Sequence, residues 1–106
     1  MIIMPKVVCL CGSTRFKDAF EAANARETLA GRIVLSVGVY GHADHVEFTE
    51  DQKNRLDRLH LQKIDMSDEI LVIDVDRYIG KSTRSEIAYA AMNGKNIRYL
   101  SEESVT

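Results

Sequence analysis

The stretch "YIGKSTRSEIAYA", residues 78–90, sets one carboxylate, Glu86, after a glycine turn, hydroxyls and an arginine, and ahead of an alanine-rich apolar run. An ionised carboxylate held on a helix can attack an electrophilic carbon and carry a covalent intermediate. The same residue stands three after Thr83 and so fits an S/T-x-x-E capping box, in which Glu86 reaches back to the Thr83 amide and contributes ~1 kcal/mol. A place in the first helical turn also favours the ionised form that a nucleophile requires. A second polar cluster, "CGSTRF" at residues 11–16, joins Gly12, which permits a sharp turn, to Ser13, Thr14 and the fixed positive charge of Arg15. With a helix following, the amides of residues 13–16 become free donors and, with Arg15, form a compact anion site. The plainer reading is a helix capped by Ser13 or Thr14, with a solvated arginine. The cluster is neither a Walker loop nor G-x-G-x-x-G.

Other polar side chains divide in the same way between chemistry and structure. His42, Asp44 and His45 could hold zinc, but no fourth ligand has clear spacing; Tyr40 and His42 alternatively wall a flat base or belong to an exposed loop. Asp74 and Asp76 are partners for a sugar or a base, or caps of the following turn. His60 lies four after Leu56 and four before Ile64, on an apolar helical stripe, which suits a hydrogen-bonded core histidine as well as a catalytic one. Arg55, Asp57 and Arg58 read as a solvated helix face, and Tyr89 and Met92 as helix packing. Cys9 and Cys11, two apart in an apolar run, are expected as buried free thiols, since strand neighbours of this kind do not readily form a disulfide and no further cysteine completes a zinc set.

These residues must be positioned by one core, because 106 residues with 45% hydrophobic and 28% charged content leave no room for a second. A formal charge of -2 offers no broad basic surface for a nucleic-acid polymer and no polybasic membrane patch. The N-terminal "MIIMPKVVCLC" is too short and too soon interrupted for a membrane span and lacks the features of a signal peptide, so a cytoplasmic protein is expected. Apolar runs alternate with helical patterns. "KVVCLCG", "RIVLSV", "EILVID" and "NIRYL" read as strands. A helix carrying the stripe Phe16, Ala19, Phe20 and Ala23 stops at Gly31; a second runs from the Thr49 and Gln52 capping box to about Met66; a third spans Thr83 to Asn93 and stops at Gly94. This order predicts a single α/β domain, a Rossmann or flavodoxin-like open parallel sheet of four strands ordered 2-1-3-4 with helices on both faces. Ligands of such sheets bind beyond the carboxyl ends of the strands, where "GSTR", "GVYGHADH" and "DVDRYIGKSTRSE" all fall.

On these motifs, the chain resembles the nucleoside 2-deoxyribosyltransferase-like family, which includes deoxynucleoside monophosphate N-glycosidases. The resemblance spans nearly the whole chain: "CGSTR" is similar to the family's G-S-x-R phosphate loop, "SDEILVIDV" to its A-D-x-V-V strand, and the glycine turn leads to a helix-borne glutamate followed by "IAYA". It implies that Glu86 attacks the anomeric carbon. It further implies that Gly12, Ser13, Thr14 and Arg15 hold a 5′-phosphate, that the turn from Gly80 to Ser82 closes on the sugar-phosphate, and that no metal or cofactor is needed. The chain departs from the pattern in three places. The family's aspartate eight residues before the Asp that opens the third strand is here His60, counted back from Asp68; two extra residues separate the glycine turn from Glu86; and "SEESVT" is short for the C-terminal segment that a neighbouring subunit contributes in many relatives.

A carboxylate beneath C1′ and a means of protonating the departing base are what N-glycosidic cleavage through an oxocarbenium-like transition state demands. Three classes of function therefore stay open: a nucleotide N-glycosidase or deoxyribosyltransferase acting on a nucleoside monophosphate or nucleoside, a non-catalytic nucleotide-binding or signalling module, and an oligomeric scaffold. The first is favoured by "GSTR" together with Glu86. A homodimer or higher homo-oligomer is expected, because four strands wall the site only partly and "IAYAAMNG" allows close helix approach.

Overall fold

An uninterrupted apolar run lets alternate side chains of β1 (Val7–Gly12) bury on opposite faces of a sheet. In the computed structural model, which describes residues 4–103, Val8 and Leu10 pack with Leu71 and Ile73 against Phe20 and Ala23 of α1 (Lys17–Leu29). Cys9 and Cys11 pack with Ile70 and Val72 on the other face, against Ile64 of α2 (Glu50–Asp65) and Ala90 of α3 (Lys81–Met92). Helices thus cover both faces, α1 on one and α2 with α3 on the other. The sheet is completed by β2 (Ile33–Leu35), β3 (Glu69–Ile73) and β4 (Asn96–Tyr99), all pairings are parallel, and the order is 2-1-3-4 as expected. Both cysteines are buried and unbonded.

Local signals fix some boundaries and not others. Thr49 caps α2 with the reciprocal pair of a capping box: its hydroxyl accepts from the Gln52 amide at 3.1 Å and its own amide donates to Gln52 Oε1 at 2.9 Å. Gly31, with φ of 90°, follows the end of α1 in the left-handed region that glycine enters without strain. The starts of α1 and α3 differ from the sequence reading. Phe16, not Ser13 or Thr14, is the N-cap of α1, and α3 begins at Lys81 behind Gly80 instead of at Thr83. Gly12 also has a different task from the one expected. It does not adopt a left-handed turn conformation; a Cβ there would stand 2.8 Å from the Ile73 carbonyl oxygen and 3.3 Å from Phe20, so glycine is required by close approach of β3 and α1.

Away from the carboxyl edge, charged groups are buried together. Arg98 on β4 donates to Glu27 of α1 at 2.7 Å, to Glu69 at 3.2 Å and to Glu103 at 2.9 Å, with Glu27 and Glu69 almost wholly buried. Asp74, just after β3, is buried as well and accepts from the Ser101 amide at 2.8 Å and its hydroxyl at 2.6 Å. Among the described residues no helix is long and apolar enough to cross a membrane.

Candidate active site

A cleft of about 960 Å³ opens at the carboxyl edge of β1 and β2, between the loops that follow them, the side of α2 and the start of α3. Gly12, Ser13, Thr14, Arg15, His42, His60, Gly80, Ser82 and Glu86, residues of three separate sequence clusters and one helix, all line it. Asp74 does not. Its carboxylate is consumed by Ser101, so its expected contact with a sugar or base is replaced by a structural tie.

The loop after β1 is held by its own side chains. Ser13 Oγ accepts from the Arg15 amide at 3.3 Å and from Arg15 Nε at 3.0 Å, and the Phe16 amide closes a turn on the Ser13 carbonyl at 3.0 Å. Thr14 joins this loop to the next: its hydroxyl hydrogen-bonds with His42 Nδ1 at 2.6 Å and accepts from the His42 amide at 3.3 Å. The guanidinium of Arg15 stacks over Tyr78 at 4.5 Å from the ring centroid, and Tyr78 in turn meets Phe16 edge-on at 5.9 Å. Among the described residues no carboxylate forms a salt bridge with Arg15, which leaves a fixed, oriented cation at the mouth of the cleft. Across from it, Lys81, Ser82 and Thr83 of the first turn of α3 line the cleft, where the unbonded amides of a helix start favour an anion. Zinc ligation by His42, Asp44 and His45, the disfavoured alternative, does not assemble among the described residues, because Thr14 engages His42 while Lys17 Nζ pairs with Asp44 at 2.9 Å.

At the inner end stands Glu86. Because α3 starts at Lys81, Glu86 lies in its second turn; Thr83 is buried inside the helix and no side chain caps its start. The capping-box reading is therefore corrected, and the carboxylate is free for another role. Its Oε1 is 3.8 Å from His60 Nε2. Burial pushes the Glu86 carboxyl up to about 7, with Cys9 and Asp57 adding to the rise and His60 opposing it. The expectation that a helix N-terminus keeps Glu86 ionised is corrected with the helix start. His60 is a buried residue, as its place on the apolar stripe suggests, yet it touches the cleft and contacts Cys11 Sγ at 3.3 Å and Cys9 Sγ at 3.7 Å. Burial works against a charge on its ring, but Cys9 and Glu86 outweigh this and hold its pKa above the ordinary imidazole value.

Sequence reasoning missed several walls of the cleft. Around His60, which the sequence did single out, Lys53, Leu56, Asp57 and Lys63 also line the cleft from α2. With His60 their spacing, i, i+3, i+4, i+7 and i+10, is the signature of one helix face, and Asp57 is part of that face as well as exposed. Tyr78 and Phe48 supply aromatic surface. Tyr40 does not; it packs edge-on against Phe20 at 5.7 Å. Met92, expected in helix packing, is exposed, whereas Tyr89 donates its hydroxyl to Asp65 at 2.7 Å. The sequence matches no protein-family model, and no curated protein matches it.

Proposed function

We propose that the cleft binds a nucleoside monophosphate and that Glu86 cleaves its N-glycosidic bond, as the resemblance to the nucleoside 2-deoxyribosyltransferase-like proteins implies. The observation that carries this reading is the convergence, in one cleft, of an unpaired cation on a braced hydroxyl loop with a partly buried carboxylate beside a buried imidazole. The 5′-phosphate is bound by Ser13, Thr14 and Arg15, the face of the base by aromatic and apolar surface, and C1′ is presented to Glu86. A Glu86 oxygen forms the bond to C1′ while the C1′–N pair leaves with the base, which takes a proton from solvent in the open cleft, a proton returned by the attacking water in the next step. Water then attacks the glycosyl ester and restores the carboxylate, or a second base does so and the outcome is transfer. His60, buried between the cysteines and Glu86, serves as a positioning residue that lowers the cost of the carboxylate's charge.

A non-catalytic nucleotide-binding module is the second reading, and the burial that holds Glu86 substantially protonated near neutrality favours it. Release of free base from a panel of purine and pyrimidine monophosphates separates the two. Glu86→Gln is expected to abolish base release while monophosphate binding persists, since an amide cannot carry the glycosyl intermediate. Arg15→Ala is expected to weaken binding of monophosphates far more than of matched nucleosides. Binding without any base release from the wild type, or full turnover by Glu86→Gln, would sink the enzymatic reading; equal losses for both ligand types would remove the phosphate assignment.

A further inference from the structure

On the core side of Glu86, β1 and α2 bring three metal-binding donors to one point. Cys9 and Cys11 project from the same face of β1, His60 projects from α2, and their sulfur and nitrogen atoms all lie within 4.8 Å of one another. Ligands of a tetrahedral zinc ion, at ~2.3 Å for sulfur and ~2.0 Å for nitrogen, stand roughly 3.5 Å apart along a sulfur–nitrogen edge. The two sulfur–nitrogen separations here, 3.3 Å and 3.7 Å, bracket that edge. No other group of three or more His, Cys, Asp or Glu ligands is placed this way among the described residues. The third ligand is 49 residues from Cys11, which is why cysteine spacing alone pointed away from zinc.

We infer that Cys9, Cys11 and His60 form a binding site for a thiophilic divalent cation such as zinc, and that the Glu86 carboxylate, which stands outside the close-set group of three, swings in as its fourth ligand. Glu86 Oε1 lies 3.8 Å from His60 Nε2, on the side of the cluster that opens to the cleft. Both sulfurs are fully buried, whereas His60 and Glu86 line the cleft, so an ion enters past these two. The anionic sulfur ligands offset the charge of a divalent ion at a buried site, and the N/S ligand set suits zinc better than magnesium or calcium. Zinc bound here occupies the carboxylate that the proposed reaction uses, so the site is inhibitory and is not a catalytic metal centre. Ligand geometry alone carries the inference, and its test reads binding without turnover; an absence of base release leaves that test intact.

The full chain, reduced and stripped with a chelator, is titrated with Co²⁺ and then Zn²⁺. One equivalent of Co²⁺ should bring up a thiolate-to-cobalt charge-transfer band that Zn²⁺ abolishes by displacement. The band should be lost in Cys9→Ser/Cys11→Ser and survive in Glu86→Gln with affinity weakened by roughly 10-fold. Absence of the band in folded wild type, or its persistence in the double variant, overturns the site; unchanged affinity in Glu86→Gln removes the fourth ligand. Should the double variant fail to fold, X-ray absorption at the zinc edge of the loaded wild type decides: two sulfur scatterers at ~2.3 Å are expected, and a shell of nitrogen and oxygen alone refutes the proposal.

Discussion

Glu86 occupies a position where burial works against the charge that nucleophilic attack requires. Its carboxyl titrates at about 7 against an ordinary 4.5, so the native state keeps a proton that the unfolded chain has already released. The stability this gives is whole below pH 4.5 and is lost as the pH rises through about 7. Urea unfolding at pH 5 and pH 8.5, with a chelator present to keep metal away, should therefore show Glu86→Gln gaining on the wild type at the higher pH. Under the same conditions, base release should climb with pH through about 7 as the nucleophile ionises; a rate that falls over that range would argue against attack by Glu86. The candidate site was partly legible because its side chains come in short runs: Ser13, Thr14 and Arg15 are consecutive, and Glu86 follows its glycine turn closely. What stayed hidden depends on partners distant in the chain. A carboxylate at a strand end looks the same in sequence whether it faces a ligand or, like Asp74, accepts from a serine 27 residues away. His60 likewise gave no sign of the sulfurs it touches.

For the elements, continuous apolar runs announced the strands, and because both faces of β1 and β3 are covered, no other pattern would have served. The Thr49 capping box was legible for the same kind of reason, as the whole device lies within four residues. The start of α3 was not. After β3 the chain turns through Val75–Arg77, where Asp76 and Arg77 take left-handed φ of 53° and 63°, and this exit delivers the helix at Gly80 before Thr83 is reached. A capping motif is thus a local option that the path of the preceding strand can overrule. Gly12 offers a test of how strands and site are coupled. Gly12→Ala puts a methyl against the Ile73 carbonyl and Phe20, with an expected loss of about 1–3 kcal/mol in urea unfolding. It should also weaken monophosphate binding, because the displaced residue leads directly into the Ser13–Arg15 loop; unchanged affinity would show that the loop holds its form independently of the strand.

At the scale of the whole molecule, the cleft and the buried charge cluster lie at opposite ends of the sheet. Arg98 holds the Glu27 carboxyl below the usual carboxylate range, so this end contributes stability that is present above ordinary glutamate titration and is lost on acidification. Arg98→Ala leaves Glu27 and Glu69 buried without their principal donor, and a loss of roughly 3 kcal/mol is expected by thermal or urea unfolding at neutral pH. The face covered by α2 and α3 carries exposed Leu59 and Met92, with Met66 at the end of α2, which supports self-association through these helices. Light scattering at working concentration should report at least a dimer, and a monomer would favour an open binding module. The turn Leu100–Glu102 is fastened at its two sides, by Ser101 on buried Asp74 and by Glu103 on Arg26 and Arg98. A segment fastened in this way cannot fray by itself: its release strips buried Asp74 of its Ser101 donors and takes Glu103 from Arg26 and Arg98 at once, so the Ser101 amide should exchange its hydrogen as slowly as the central strands, and a reporter attached beyond it would register global opening of the fold.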